Sequence, residues 1–212
     1  MIKTFTIAIT SVLLSSILSF AQVRVGVTGG VQFASQKINF AGLSLKGDNK
    51  VGFQAGLLLD APLSESFSVR PQLLYSVKGS KLANFDFGFG STDVSTTFNY
   101  LEVPVQLMYN VEAGPGYVTL GAGPYVAYAL SGKTTTKALG QSESQSIEFG
   151  SGEDQTKRLD YGLRLSVGYE LTSGIFLTGY YAPGLANLAN TSAQKATNTA
   201  FGFSLGLLFG GE

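Results

Sequence analysis

The chain has 212 residues, of which 44% are apolar and only 13% are charged, and its fourteen basic and fourteen acidic side chains cancel. Soluble domains average about 25% charged residues, and no segment here is basic enough to predict binding of nucleic acid. The chain has neither cysteine nor histidine. These absences exclude disulfides, thiolate zinc sites and catalytic groups that need an imidazole. We therefore predict no enzymatic activity, no metal site and no cofactor.

Residues 1–21 have the organisation of a cleaved signal peptide. An early lysine is followed by an uncharged apolar stretch, and small residues at Ser19 and Ala21 suit signal peptidase. The alternative, a membrane-anchoring helix, needs about 20 apolar residues, which is more than this stretch provides. We therefore predict export of the chain, with residues 22–212 forming one mature domain.

From residue 22 onward the apolar residues recur with a period of two, which is typical of β-strands with two different faces. The pattern predicts eight strands, near 22–34, 50–60, 66–79, 97–111, 116–131, 158–171, 174–186 and 198–210. Tight turns at 61–65, 112–115 and 172–173 alternate with long loops at 35–49, 80–96, 132–157 and 187–197. An up-and-down meander of strands this long can close into a barrel without edges.

The two faces of the predicted strands differ in chemistry. One face carries large apolar residues at every second position, as in Leu101, Val103 and Val105. The other face is rich in Gly, Ser, Thr and Gln, and it also holds nine charged residues: Arg24, Asp60, Arg70, Lys78, Glu102, Arg158, Asp160, Arg164 and Glu170. The charges of the strands are therefore confined to the polar face.

Periodicity alone does not say which face points outward. A soluble lipocalin-like barrel would enclose its apolar face around a ligand, whereas a transmembrane barrel turns that face toward lipid. Three features favour the membrane: few charges on the polar face, a final alternating aromatic strand, and tyrosines near strand ends that are typical of an interfacial girdle. These tyrosines are Tyr75, Tyr100, Tyr109, Tyr117, Tyr128, Tyr161 and Tyr169. We predict an all-β fold, an eight-stranded antiparallel up-and-down transmembrane β-barrel.

In a transmembrane barrel the nine charged residues would face the lumen, where each ion needs a partner of opposite sign. We expect Glu102 to pair with Lys78, with Arg158 and Arg164 as further candidates. We expect a second cluster near the short-turn end, made by Arg24, Asp60, Arg70 and Glu170. Because eight strands leave little space beyond their side chains, the predicted role of these charges is structural.

The strand prolines Pro71, Pro104 and Pro124 each remove a backbone donor from a sheet without edges. We expect β-bulges at these positions. The segment 85–89 places three phenylalanines at alternate positions in a predicted long loop, and we interpret it as a hairpin arm that extends beyond the membrane.

Several stretches resemble the PorT-like outer-membrane β-barrel family of Bacteroidetes. They include "VGVTGGVQFA", "NYLEVPVQLMYNV", "GAGPYVAYALSGK", "LDYGLRLSVGYEL", "YYAPGLANL" and "FGFSLGLLF", which together span about residues 23–209. The resemblance implies an eight-stranded barrel with a cleaved signal, but no single activity. The end of the chain departs from the pattern, since Gly210, Gly211 and Glu212 follow the last aromatic residue. Insertion by the outer-membrane assembly machinery would then depend on Phe209.

The sequence thus predicts an integral protein of the cell outer membrane that has long surface loops and a structural, adhesive or accessory role. The alternatives are a narrow pore for small solutes, a secreted soluble barrel that carries a ligand, and an accessory of protein secretion. Its partners would be the outer-membrane bilayer and the assembly machinery. The residue pattern does not identify partners of the surface loops.

Overall fold

The computed structural model describes residues 23–40, 43–86, 91–138, 141–191 and 194–210. In these ranges the chain forms the strands β1 (Arg24–Phe40), β2 (Leu43–Lys46), β3 (Asp48–Pro62), β4 (Phe67–Asp86), β5 (Ser91–Ala113), β6 (Gly116–Ala138), β7 (Gln141–Ser146), β8 (Leu159–Leu171), β9 (Ile175–Pro183) and β10 (Gln194–Phe209). The predicted signal peptide and the last two residues lie outside the described residues. Within the described part of the chain, no helix is long and apolar enough to cross a membrane.

Eight of the strands close into a ring. Each pairs antiparallel with the next in the order β1, β3, β4, β5, β6, β8, β9 and β10, and β10 pairs with β1 from Val25↔Phe209 to Phe40↔Gln194. The short strands β2 and β7 pair with the ends of β1 and β6 that lie away from the tight turns. The structure therefore confirms the predicted fold class, an eight-stranded antiparallel up-and-down barrel.

The tight turns lie together at one end of the barrel. Gly114 and Pro115 join β5 to β6, and Gly114 has a φ of 61°, which glycine adopts without a steric penalty. Residues 172–174 join β8 to β9, and there Gly174 has a φ of 84°. Since short turns face the periplasm in barrels of this kind, the opposite end, which we call the outer end, faces the cell exterior.

The outer wall of the barrel is apolar, and the lumen holds the charges. Leu101, Val103 and Leu107 on β5 are each at least 41% exposed, whereas Glu102 and Gln106 between them are buried. The same alternation exposes, around the ring, Val25, Val27, Val31, Phe53, Leu57, Leu59, Leu163, Leu165, Val167, Phe201, Phe203 and Leu205. A soluble barrel has the opposite orientation. This barrel therefore spans a membrane, and the soluble lipocalin-like alternative is wrong.

The strands are longer than the apolar pattern predicts. β4 and β5 extend into the predicted loop at 80–96 from both sides and pair as far as Asp86↔Ser91, while residues 87–90, which include the end of the predicted hairpin arm at 85–89, lie outside the described residues. β1 and β6 likewise extend into the predicted loops at 35–49 and 132–157. These extensions are rich in Ser, Thr and Lys. Beyond the lipid neither face of the sheet has to be apolar, so the alternation that identifies the membrane-spanning part is lost while the backbone pairing continues.

The three strand prolines do not produce the predicted bulges. At Pro71, Pro104 and Pro124 the register is the same before and after the proline, and each proline coincides with missing pairs in only one of its two ladders. A proline has no N–H to donate to one neighbour, but the long flanking ladders keep the strands in register. The shift between β5 and β6 occurs elsewhere, at Asn99 and Tyr100.

The predicted tyrosine girdle is confirmed only in part. Exposed tyrosines on the outer wall are Tyr75, Tyr109, Tyr128 and Tyr161, and Tyr117 and Tyr169 are half-buried. Tyr100 is 1% exposed and lies inside the barrel, so its assignment to the girdle is wrong. It has the same parity on β5 as Glu102, and strand alternation therefore directs both side chains into the lumen.

Leu163→Arg tests the lipid-facing assignment. Leu163 is 46% exposed on the middle part of β8, and a cation there would enter hydrocarbon. We expect the free energy of unfolding from lipid vesicles, measured by denaturant titration, to fall by about 2–4 kcal/mol.

Leu45→Arg is the matched control, because Leu45 is 45% exposed but belongs to β2, at the outer end. Its substitution should change the free energy of unfolding by less than about 0.5 kcal/mol. Equal losses in the two variants would contradict the proposed position of the lipid.

Candidate functional site in the barrel lumen

The first lumen cluster lies at the short-turn end and joins four ions from four strands. Arg24 on β1 contacts Glu170 and lies 2.5 Å from Asp60 on β3. Arg70 on β4 donates from Nε to Asp60 at 2.9 Å and from Nη2 to Glu170 at 2.8 Å. Glu170 belongs to β8, three strands round the ring from both β1 and β4. The two guanidinium groups therefore connect distant parts of the wall through the lumen.

Local register explains part of this arrangement. Arg24 and Asp60 are directly paired on neighbouring strands, so their side chains lie on the same face. Ser68 Oγ donates to Asp60 Oδ1 at 2.9 Å. The carboxylate of Asp60 thus has three donors, which offsets the cost of burying it.

The second lumen cluster lies nearer the outer end and is centred on Glu102, which is 1% exposed. Lys78 Nζ lies 2.7 Å from Glu102 Oε2, and Arg164 Nη1 lies 3.3 Å from Glu102 Oε1. Arg164 Nη1 is also 3.3 Å from Gln54 Oε1 on β3, on the opposite side of the ring. A single carboxylate therefore lies between two cations, and one of these spans the lumen.

Asp160 is completely buried and has polar partners instead of a direct ion pair. Asn198 donates to Asp160 Oδ2 at 2.9 Å and to the Tyr100 hydroxyl at 3.1 Å, and the Tyr125 hydroxyl is 3.5 Å from Asp160 Oδ1. With Asp160 included, the second cluster has two cations and two carboxylates, Lys78 and Arg164 against Glu102 and Asp160. The first cluster has the same balance.

Arg158 does not join either cluster, so its assignment to the lumen network is wrong. Its Nη1 donates to the backbone oxygen of Ala129 at 2.8 Å, and its guanidinium lies 4.6 Å from the Phe149 ring centre. Arg158 lies one residue before β8. The alternation of that strand, which the sequence analysis used to direct its side chain inward, therefore does not fix its direction.

Aromatic side chains occupy much of the lumen, and the sequence pattern did not reveal them. Arg164 Cζ lies 3.7 Å from the Tyr180 ring centre, and Lys78 Nζ lies 4.6 Å from that of Tyr125. Such cation–π contacts stabilise desolvated cations by about 2 kcal/mol. On their strands, Tyr125, Tyr180 and Phe176 occupy the alternate positions that belong to the polar face. Strand alternation could therefore have predicted that their rings enter the lumen. Tyr125 and Tyr180 belong to one buried cluster with Phe98 and Tyr100, and Phe176 belongs to another with Leu58 and Leu208.

Glycines on the inner face of the wall make room for these side chains. A Cβ at Gly206 would lie 2.2 Å from Phe176 Cζ, and one at Gly121 would lie 2.4 Å from Ser166 Oγ. Both distances are far below van der Waals contact. The high glycine content of the polar face therefore reflects a lumen that is already filled.

Cavities lie at both ends of the lumen. The one at the short-turn end has a volume of about 250 Å³ and is lined in part by Arg24, Asp60 and Glu170. The one at the outer end is about 600 Å³. Between them, a cavity beside Arg70, Arg164 and other residues has about 20 Å³, enough for roughly one water molecule.

Glu102→Gln tests the energetic role of the second cluster. The substitution leaves Lys78 and Arg164 buried near an uncharged amide, so we expect the free energy of unfolding to fall by about 3–5 kcal/mol. Adding Lys78→Met should recover part of this loss, because it removes one of the uncompensated cations. Denaturant titration in lipid vesicles measures both effects.

Glu112→Gln is the matched control, since Glu112 is an exposed residue of the same strand. It should change the free energy of unfolding by less than about 0.5 kcal/mol. If Glu102→Gln had an equally small effect, the buried ion pairs would not stabilise the barrel.

A comparison with protein families agrees with this architecture. The family described as outer membrane protein beta-barrel domain matches residues 20–190. The comparison with curated proteins found no match. Similar solved structures include Ail, the attachment invasion locus protein of Yersinia pestis, at 14% identity and a TM-score of 0.41, covering 88% of this chain and 99% of that one.

Two further structures have comparable similarity. Neisserial surface protein A is 13% identical with a TM-score of 0.45, and the match covers 86% of this chain and 97% of that one. OprG from Pseudomonas aeruginosa is 12% identical with a TM-score of 0.45, covering 90% and 97%. At this level of identity the likeness concerns the fold alone.

Proposed function

Because the chain belongs to the outer membrane protein beta-barrel domain family, we propose that this integral outer-membrane protein has a closed lumen and acts through its outer end. The lumen is then a polar core that stabilises the wall, and the structural, adhesive or accessory role belongs to the strand extensions and loops outside the cell. The proposal includes the absence of enzymatic activity.

The filled middle of the lumen is the observation that carries this proposal. Arg164 reaches from β8 to Gln54 on the far wall, with its guanidinium against the Tyr180 ring. Lys78 and Glu102 occupy the neighbouring space as an ion pair. A solute that passed through would have to separate these buried charges, which costs several kcal/mol per ion.

The outer end supports a role in surface contact because two of its segments are joined by side-chain hydrogen bonds. The side-chain amide of Asn190 lies 2.8–2.9 Å from the carbonyl oxygens of Gly150, Gly152 and Gln155. These contacts hold the connection between β7 and β8 against the segment that precedes β10. Fixed loops lose less conformational entropy when they bind a partner than mobile loops do.

The finer assignments remain proposals. We propose that residues 1–21 are removed on export and that the assembly machinery inserts the barrel through its final aromatic strand, which ends at Phe209.

The resemblance to the PorT-like family supports a second candidate function, an accessory role in protein secretion. Cross-linking in cells that captures no partner would count against that role.

Planar-bilayer recording tests the closed lumen. We expect the unaltered protein to show no unitary conductance steps at neutral pH, because side chains fill the passage. Combining Tyr100→Ala, Tyr125→Ala and Tyr180→Ala should produce steps, since it removes three rings from the lumen. Heat-modifiable mobility on a gel checks that each variant is folded.

Reproducible steps from the unaltered protein, changed by Glu102→Gln or Arg164→Gln, would overturn the closed lumen and favour a narrow pore. A change of conductance in these variants would report on the lumen, because both substituted residues are 3% exposed or less.

A further inference from the structure

Three lysines meet on the extended sheet at the outer end of the barrel. Lys50 Nζ donates to Ser95 Oγ at 2.7 Å and also contacts Thr97 Oγ1. The register pairs Lys81 with Ser95 from one side and Lys133 with Thr97 from the other. We call Lys50, Lys81 and Lys133 the lysine cluster. Its members come from β3, β4 and β6 and surround the same two hydroxyl groups on β5.

The lysine cluster lies on the outer wall. On β6 the residue before Lys133 is Gly132, where a Cβ would lie 3.0 Å from side-chain atoms of Ile147 and Phe149, the residues that pack against the inner core. Strand alternation therefore directs Lys133 outward. The chain of Lys50 crosses the wall over Gly79, since a Cβ at Gly79 would lie 2.8 Å from Lys50 Cδ.

The height of the lysine cluster matches the lipid headgroups. Tyr75, Leu101 and Tyr128 form one paired row of exposed side chains on β4, β5 and β6. Thr97 lies four residues beyond Leu101 on β5, which is about 13 Å along the strand and less along the membrane normal because barrel strands are tilted. Lysine side chains bend toward a charged layer while their methylene groups cover apolar surface.

The local charge of the cluster is positive. Lys81 and Lys133 flank the two hydroxyl groups that hold the Lys50 ammonium, so the three cations repel one another. Asp48 is paired with Lys81 across the ladder, yet among the described side chains the six ion pairs are all in the lumen and none includes a lysine of this cluster. Three neighbouring cations for which no ion pair is found among the described side chains form a surface that attracts an external anion.

We propose that the lysine cluster binds phosphate groups on lipid headgroups of the outer leaflet. The occupant is a lipid because the site continues directly from the lipid-facing wall and shares its outward direction. The hydroxyls of Ser95 and Thr97 hold the Lys50 ammonium across the wall, so this cation is in place before the phosphate arrives. This interaction is independent of the closed lumen and of any surface partner.

Quenching of a single tryptophan tests the proposal, because the chain has no tryptophan of its own. Tyr128→Trp introduces an indole on the outer wall, in the paired row of exposed side chains that includes Leu101. The protein is reconstituted in phosphatidylcholine vesicles with a small fraction of brominated phosphatidic acid or, in parallel, brominated phosphatidylcholine. We expect the phosphatidic acid to quench more strongly at equal mole fraction, through enrichment beside the lysines.

The test variant adds Lys50→Gln, Lys81→Gln and Lys133→Gln. Each lysine near an anionic surface changes binding by about fivefold, so the preference for phosphatidic acid should disappear. The matched control adds Lys137→Gln, Lys157→Gln and Lys195→Gln, three exposed lysines outside the cluster, and should retain the preference. Heat-modifiable mobility confirms folding of both variants.

Two results would overturn the proposal. One is an equal preference in the cluster variant and in the control, which would assign the effect to overall charge. The other is loss of the preference in excess inorganic phosphate at constant ionic strength, which would indicate a site for free phosphate instead of a lipid.

Discussion

Backbone hydrogen bonding in a solvent without water is the constraint on which this structure depends. In lipid each N–H and C=O must pair within the protein, and a sheet can satisfy this only by closing on itself. The pairing of β1 with β10 provides the closure. Even the three strand prolines, which remove donors from their ladders, leave the register unchanged. The pairing of the closed sheet therefore overrides the tendency of individual prolines to interrupt a strand.

Closure in turn creates an enclosed interior that lipid cannot fill. The inner face of eight strands leaves a space for side chains, and this chain fills it with two clusters of ionisable residues, with tyrosines and with amides. Arg70 and Arg164 each connect strands that are not neighbours. The lumen therefore stabilises the wall from inside, in place of the apolar core of a soluble domain, and in the proposed function the same side chains close it to solutes.

Beyond the lipid the constraint changes while the sheet continues. β4, β5 and β6 extend past the apolar wall with Ser, Thr and Lys on their surfaces. The outer surface therefore has two chemically different zones, the apolar lipid-facing wall and the polar strand extensions at the outer end. The lysine cluster lies where the two zones meet, and there headgroup phosphates can reach it. The proposed lipid site and the proposed contact surface thus belong to the same strands at different heights.

The sequence by itself determined the fold class, the lipid-facing residues and the inward direction of Glu102, because a period of two assigns each residue to a face. It also predicted that Arg24, Asp60, Arg70 and Glu170 would form one cluster and that Glu102 would pair with Lys78, and the structure brings these residues together. It did not predict the contacts that cross the lumen to an uncharged partner, such as that of Arg164 with Gln54. Nor did it place Arg158 or extend the strands past the membrane, since both positions lie where alternation ends. Tertiary structure decided these points, because contacts across a lumen depend on closure and register, which no local pattern contains.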